Sequence, residues 1–172
     1  MSGRMDQRNH DHSKTNFQIA GLFSWVRLNR QFLMLFVTIM GPTLAFSKLV
    51  EVPANRVWRL ITDTRTWPLW GPSVRGVDCK DRYIKAASSG RIRTPVGVWV
   101  PFVVGTFEAE SYWDWRLAGV PATGHRVESV GPNRCRLTFT VPVWALGYGL
   151  VCRLALMRID RLLMQAGKQQ GS

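Results

Sequence analysis

Three histidines occur in the 172-residue chain, and only His125 lies beyond the first dozen residues. An imidazole titrates near neutral pH, so His125 is the side chain best suited to move a proton on a ketone or enol. From His125 to Ser129 it alternates with Arg126 and Glu128 and shares a face with Val127. No carboxylate stands on that face to orient the ring, and a histidine hydrogen-bonded within a core is the commoner arrangement. Glu108 and Glu110 have the spacing that aims two carboxylates to one side of a strand, as paired acid–base chemistry needs. Polar residues follow them, and the pair reads as a solvated strand end. Asp63 closes a helical stretch and reads as a cap or surface group. His10 and His12 alternate as metal ligands do, but no cysteine or further histidine lies near them. Cys79, Cys135 and Cys152 are odd in number and far apart, with no C-x-x-C. That pattern indicates neither a disulfide framework nor a zinc site and suits a reducing cytoplasm. G-x-S-x-G, P-loop and dinucleotide patterns are absent. Catalytic residues therefore stay unknown apart from His125, and neither a cofactor nor a metal is called for.

The aromatic residues offer a different chemistry. Eight tryptophans are many for this length, and all but Trp25 fall in the later two-thirds. Core packing absorbs several indoles, whereas so many suit a wide interior or a binding cleft. The candidate ligand-binding set is Trp67, Trp70, Phe107, Trp113, Trp115, His125, Phe139 and Tyr148. Any one of them alone reads as core filling. Together they describe an apolar concavity, where burial at ~25 cal/mol per Å² supports binding without specific chemistry.

Such residues need elements to hold them. Residues 144–165 contain no proline and predict one amphipathic helix, with Trp144, Tyr148, Val151, Leu154, Ala155, Ile159 and Leu162 on one side. Upstream, residues 45–52, 74–80, 87–94, 98–110, 112–117, 125–129 and 135–141 predict strands. Trp113, Trp115 and Leu117 oppose Asp114 and Arg116, and Cys135, Leu137, Phe139 and Val141 oppose Arg134, Arg136, Thr138 and Thr140. A sheet with one packed and one wet face has this alternation. Pro101 or Gly105 is the expected bend in the long strand, and residues 121–124 are an expected turn. The reading is a sheet wrapped around the last helix, with an aromatic-lined space left between them.

Between the first two strands, Pro53-Ala54-Asn55 opens a helix, with proline where its missing N–H costs nothing. The run from Val50 to Asp63, V-E-V-P-A-N-R-V-W-R-L-I-T-D, is followed by Trp67-Pro68-Leu69-Trp70-Gly71-Pro72. This ordered combination resembles the opening of the polyketide cyclase/dehydrase and lipid-transport group of the SRPBCC, or START-like, superfamily. The resemblance covers residues 46–163. It implies an α+β helix-grip fold: a curved antiparallel sheet around a long C-terminal helix, with two short helices after the first strand. It also implies a cavity for a hydrophobic ligand, and it carries no catalytic residue across.

The expected organisation is a disordered polar tail at 1–16, an apolar extension at 17–42, the START-like domain at 43–166 and a tail at 167–172. The apolar run at 32–40 is too short to span a bilayer, which takes roughly twenty apolar residues. Extending it upstream would place Arg27 and Arg30 near the bilayer centre. Two readings stay open for it: a helix on an anionic membrane surface through residues 17–40, or a mis-assigned start ahead of Met34 or Met40. The net charge of +12 invites anionic partners, but the basic residues are scattered and no nucleic acid is expected. The favoured function is binding or transport of a small hydrophobic molecule such as a lipid, polyketide or polycyclic compound. The alternatives are a cyclase/dehydrase-type enzyme using His125 and a peripheral membrane module. Oligomeric state is left unassigned.

Overall fold

The computed structural model describes residues 42–169, so the readings for the tail at 1–16 and the apolar stretch at 17–41 fall outside the described residues. Strand β1 (Thr43–Val50) leads into helix α1 (Ala54–Thr62) and a single turn, α2 (Trp67–Trp70). Six strands follow: β2 (Gly76–Cys79), β3 (Ser89–Arg93), β4 (Trp99–Glu108), β5 (Tyr112–Leu117), β6 (Val120–Gly131) and β7 (Arg134–Pro142). A 3₁₀ segment (Val143–Tyr148) then leads into the 21-residue helix α3 (Gly149–Gln169). The strands form one antiparallel sheet in the order β1-β7-β6-β5-β4-β3-β2, and the helices pack on one face of it. This is the helix-grip arrangement that the resemblance implies.

The alternation expected in β5 and β7 is present. Trp113, Trp115, Cys135, Leu137, Phe139 and Val141 are buried, and the charged residues between them reach the outer face. That face is laced with pairs: Arg134 with Glu51 at 2.9 Å, Arg136 with Glu128 at 4.0 Å, and Arg126 stacked over Tyr112. In β4 the pairing register shifts between Val104 and Phe107, at the Gly105 bend. A Cβ on Gly105 would collide with the Asp114 carboxylate, whose Oδ1 instead accepts the Thr106 N–H at 3.0 Å. The extra residue reverses the parity, so that Phe102, Val104 and Phe107 all face inward.

Four expectations need correction. The turn after β5 is not at residues 121–124 but at Ala118-Gly119, where both φ values are positive (49° and 82°). Two successive residues in that region make the tight hairpin that matches strand twist, and they free 121–124 to extend β6. The last helix begins at Gly149, because the chain leaves β7 through Pro142 into 3₁₀ geometry with a non-helical Ala145. Its buried stripe is Cys152, Ala155, Leu156, Ile159 and Leu163, turned from the expected one; Trp144 and Leu154 are exposed. Asp63 is the C-cap of α1, as expected, but it is not a surface group. It is buried, accepts two hydrogen bonds from the Arg82 guanidinium at 2.9 and 3.0 Å, and caps the Arg65 N–H.

Candidate functional site

The concave side of the sheet is occupied mainly by rings. Trp67 enters from α2, its indole N–H donating to the Ile61 carbonyl of α1 at 3.0 Å. It lies flat on Trp113, with centroids 5.6 Å apart and planes 4° from parallel, meets Trp115 edge to face and lies tilted against Phe102. His125, paired with Trp113 in the β5–β6 register, stacks on it at 3.9 Å. Phe139 of β7 presents an edge to His125 at 4.5 Å. The stack fills space that the sequence reading left open. Six of the eight candidate residues (Trp67, Trp70, Trp115, His125, Phe139 and Tyr148) line an inner cavity against α3, but it is only about 30 Å³. A water needs roughly 10–15 Å³ of such space, so the cavity has room for no more than one or two. Trp113 lies behind this cavity, fully buried, and Phe107 packs on Trp58 at 5.6 Å. The expected chamber between sheet and helix is therefore largely plugged by its own indoles.

Open apolar space lies next to it. Trp115, Leu117, Val120, Ala122, Val141 and Trp144 surround a hollow of about 200 Å³ between the β5–β6 hairpin, the end of β7 and the 3₁₀ segment. Trp115, Thr123 and Tyr148 line both spaces and form the wall between them. The Tyr148 hydroxyl shares a hydrogen bond with Ser73, which ties the 3₁₀ segment to the loop after α2. Burial pushes the Tyr148 phenol above its usual range, so it stays neutral.

The polar atoms inside form a short relay. The Trp115 indole N–H donates to Thr123 Oγ1 at 2.9 Å, and that hydroxyl lies 3.3 Å from His125 Nε2. His125 Nδ1, Trp70 Nε1 and Trp113 Nε1 are buried with no hydrogen-bond partner. Burial drives the His125 pKa down to about 3, and the Trp113 main chain beside the ring pulls the other way. The ring is thus neutral at physiological pH. Cys152 lines the inner cavity as an inert thiol, its pKa raised to about 11 by burial. Among the described residues no cluster of histidine, cysteine and acidic groups is placed to hold a metal ion.

Sequence reasoning missed Ser73, Thr123 and Cys152, and most of the outer hollow. Thr123 shares the parity of His125 and was legible, but the proline and glycine around it suggested a turn. The outer hollow had no local signal, because its walls come from three separate elements.

No family model and no curated protein sequence matches the chain. Solved structures do. The protein XoxI from Bacillus cereus superposes with a TM-score of 0.58 at 13% identity, over 74% of this chain and 99% of its own. A START superfamily protein from Mycobacterium smegmatis gives 0.58 at 14% identity, over 73% and 99%. A protein from Arthrobacter aurescens gives 0.54 at 16% identity, over 74% and 88%. Likeness at such low identity concerns the fold, and the fold is START-like.

Proposed function

We propose that this chain, a START-like helix-grip fold whose centre is filled by indoles, binds a small hydrophobic molecule in the hollow beside Trp115 and Trp144. The carrying observation is that apolar hollow of about 200 Å³, separated by one wall of side chains from an inner cavity with unpaired polar atoms. An apolar cavity of about 150 Å³ accommodates benzene. The hollow therefore suits one or two rings, or a short acyl segment, rather than a whole lipid. The resemblance to the polyketide cyclase/dehydrase and lipid-transport group supports the same reading, and the free thiols suit a reducing cytoplasm. Acid–base catalysis by His125 gains nothing from the geometry, since a ring with a pKa of about 3 is poorly matched to proton transfer near neutral pH. The test is native mass spectrometry with solvent extraction of purified protein, alongside titration with small aromatics read by tryptophan emission. A co-purifying apolar molecule, or saturable quenching, is expected; neither being seen would overturn the reading.

One surface favours peripheral membrane association as a second reading. Trp144, Leu146 and Leu150 are each more than 60% exposed, and Leu154, Met157 and Met164 continue the apolar strip along α3. Arg153 and Arg158 flank it, Arg161 falls within it between Met157 and Met164, and the only acid beyond Glu128, Asp160, is held by Lys48 at 3.3 Å. An apolar strip bordered by arginines suits an anionic lipid surface. No helix among the described residues is long and apolar enough to cross a membrane. Flotation of the full chain with phosphatidylserine-containing vesicles is expected to exceed that with phosphatidylcholine alone, and Leu150→Glu should reduce it. Equal flotation in all cases would remove this reading.

A further inference from the structure

A cleft of another character lies away from the indoles. Thr64, Arg65 and Pro68, from the junction of α1 and α2, share with Val77, Cys79, Lys80 and Arg82, from β2 and the loop after it, the lining of a space of about 430 Å³. None of these residues is acidic, and none lines the two apolar spaces described above. The two walls are stitched to each other by the chain itself. The Thr64 N–H donates to the Arg82 carbonyl at 2.8 Å, and the Thr64 hydroxyl donates to the same carbonyl at 3.0 Å. The Ile84 N–H donates to the Thr62 carbonyl at 3.0 Å. The Arg82 guanidinium is held by Asp63 at 2.9 and 3.0 Å and by the Tyr83 ring at 5.0 Å, and its Nη1 takes no part in the Asp63 contact. Walls fixed in this way lose little freedom when a ligand enters.

The charges around the cleft are unbalanced. Asp63 offsets Arg82, Asp78 is taken by Arg91 at 2.8 Å, and Asp81 by Lys85 at 3.5 Å and the Ser88 hydroxyl at 2.7 Å. The side chains of Arg65 and Lys80 have no acidic partner among the described residues. On the outer face of the sheet, by contrast, Arg126, Arg134 and Arg136 each meet a ring or a carboxylate. Cys79 adds no negative charge, because burial raises its thiol pKa.

We infer that this cleft binds a phosphate monoester, its dianionic head between Arg65, Lys80 and Nη1 of Arg82 and its body against Pro68 and Val77. Asp63 offsets one of the three cations, and the two that remain match a dianion. Guanidinium forks suit phosphate oxygens, and the volume leaves room for a small organic body beside the head. A sulfate ester carries a single charge and leaves one cation unmet. No bond is made or broken. The site is independent of the hollow beside Trp115, and a failure at one leaves the other standing.

The experiment titrates full-length protein calorimetrically at pH 8 with phenyl phosphate and with phenyl sulfate, which has the same shape and half the charge. Phenyl phosphate is expected to bind about tenfold more tightly and to move the amide resonances of Thr64, Arg65 and Lys80. Arg65→Gln and Lys80→Gln, both at exposed positions, should each weaken it about tenfold. Arg134→Gln, on β7 toward the other edge of the sheet, should leave it unchanged. Vesicles containing phosphatidic acid distinguish the source of the phosphate. Flotation that falls with Arg65→Gln supports the site with a lipid headgroup in it; unchanged flotation beside weakened phenyl phosphate binding supports it with a soluble ester. Equal affinity for the two esters, equal losses in all three variants, or no binding of phenyl phosphate in the millimolar range would overturn the inference.

Discussion

The inner and outer halves of the concave face both carry tryptophan and come out differently. Around Trp113 the rings stack at 3.9 and 5.6 Å and leave about 30 Å³. Beside Trp144 the walls, largely aliphatic, leave about 200 Å³. The inner rings come from adjacent strands in register and from the short helix tied to Ile61, so each meets a partner face. The outer walls converge on a 3₁₀ segment whose own tryptophan is 61% exposed, and none of the described residues reaches across. Richness in indole therefore marks a packed centre as readily as a binding space. What separates the two is whether a facing element brings a complementary ring.

The contrast is broken most forcefully at its densest point. Trp113→Ala should cost about 3–5 kcal/mol in denaturant unfolding, because a fully buried indole is lost and rigid neighbours cannot collapse into the gap. The same variant would open the inner half, and binding of apolar probes there should appear where the wild type shows none.

Next in size is a pH effect peculiar to the inner half. The folded His125 pKa of about 3 lies below the ordinary 6.5. The unfolded chain then binds the extra proton first on acidification. Stability from this group is complete above about pH 6.5 and falls by up to ~1.4 kcal/mol per pH unit toward pH 3. His125→Phe should remove that slope when unfolding is followed at several pH values.

The smallest effect belongs to the outer half. Ala122→Leu should leave stability within about 0.5 kcal/mol while weakening small-aromatic binding several-fold, since it fills space that the fold does not use. A stability loss as large as that expected at Trp113 would show that the hollow is core rather than site.

Much of this was legible along the chain, for local reasons. The alternation of Trp113 and Trp115 with Asp114 and Arg116, and of Cys135 to Val141 with their polar neighbours, assigned strands and inward faces. Side-chain parity in a strand is a property of the strand itself. Helix α1 and the Trp67–Trp70 turn were legible from proline placement and apolar spacing. The hairpin between β5 and β6 was misplaced because Pro121 and Gly124 resemble turn residues, while the true turn uses an alanine at positive φ. A strained alanine has no signature in composition. The start of the last helix was also misjudged. Gly149 sits so close to the Phe46 ring of β1 that a side chain there would overlap it, and a contact over a hundred residues of chain leaves no periodic trace.

The amino-acid order by itself determined the sheet-and-helix architecture and which face of each strand is dry, since both follow from periods of two and of about four residues. It did not determine how much room is left between those faces. That depends on ring orientation, on the Gly105 bend and on where the chain exits β7, all of which arise only when distant segments meet. Empty volume is a small difference between two large ones, the space enclosed and the side chains filling it, and only the tertiary structure holds both.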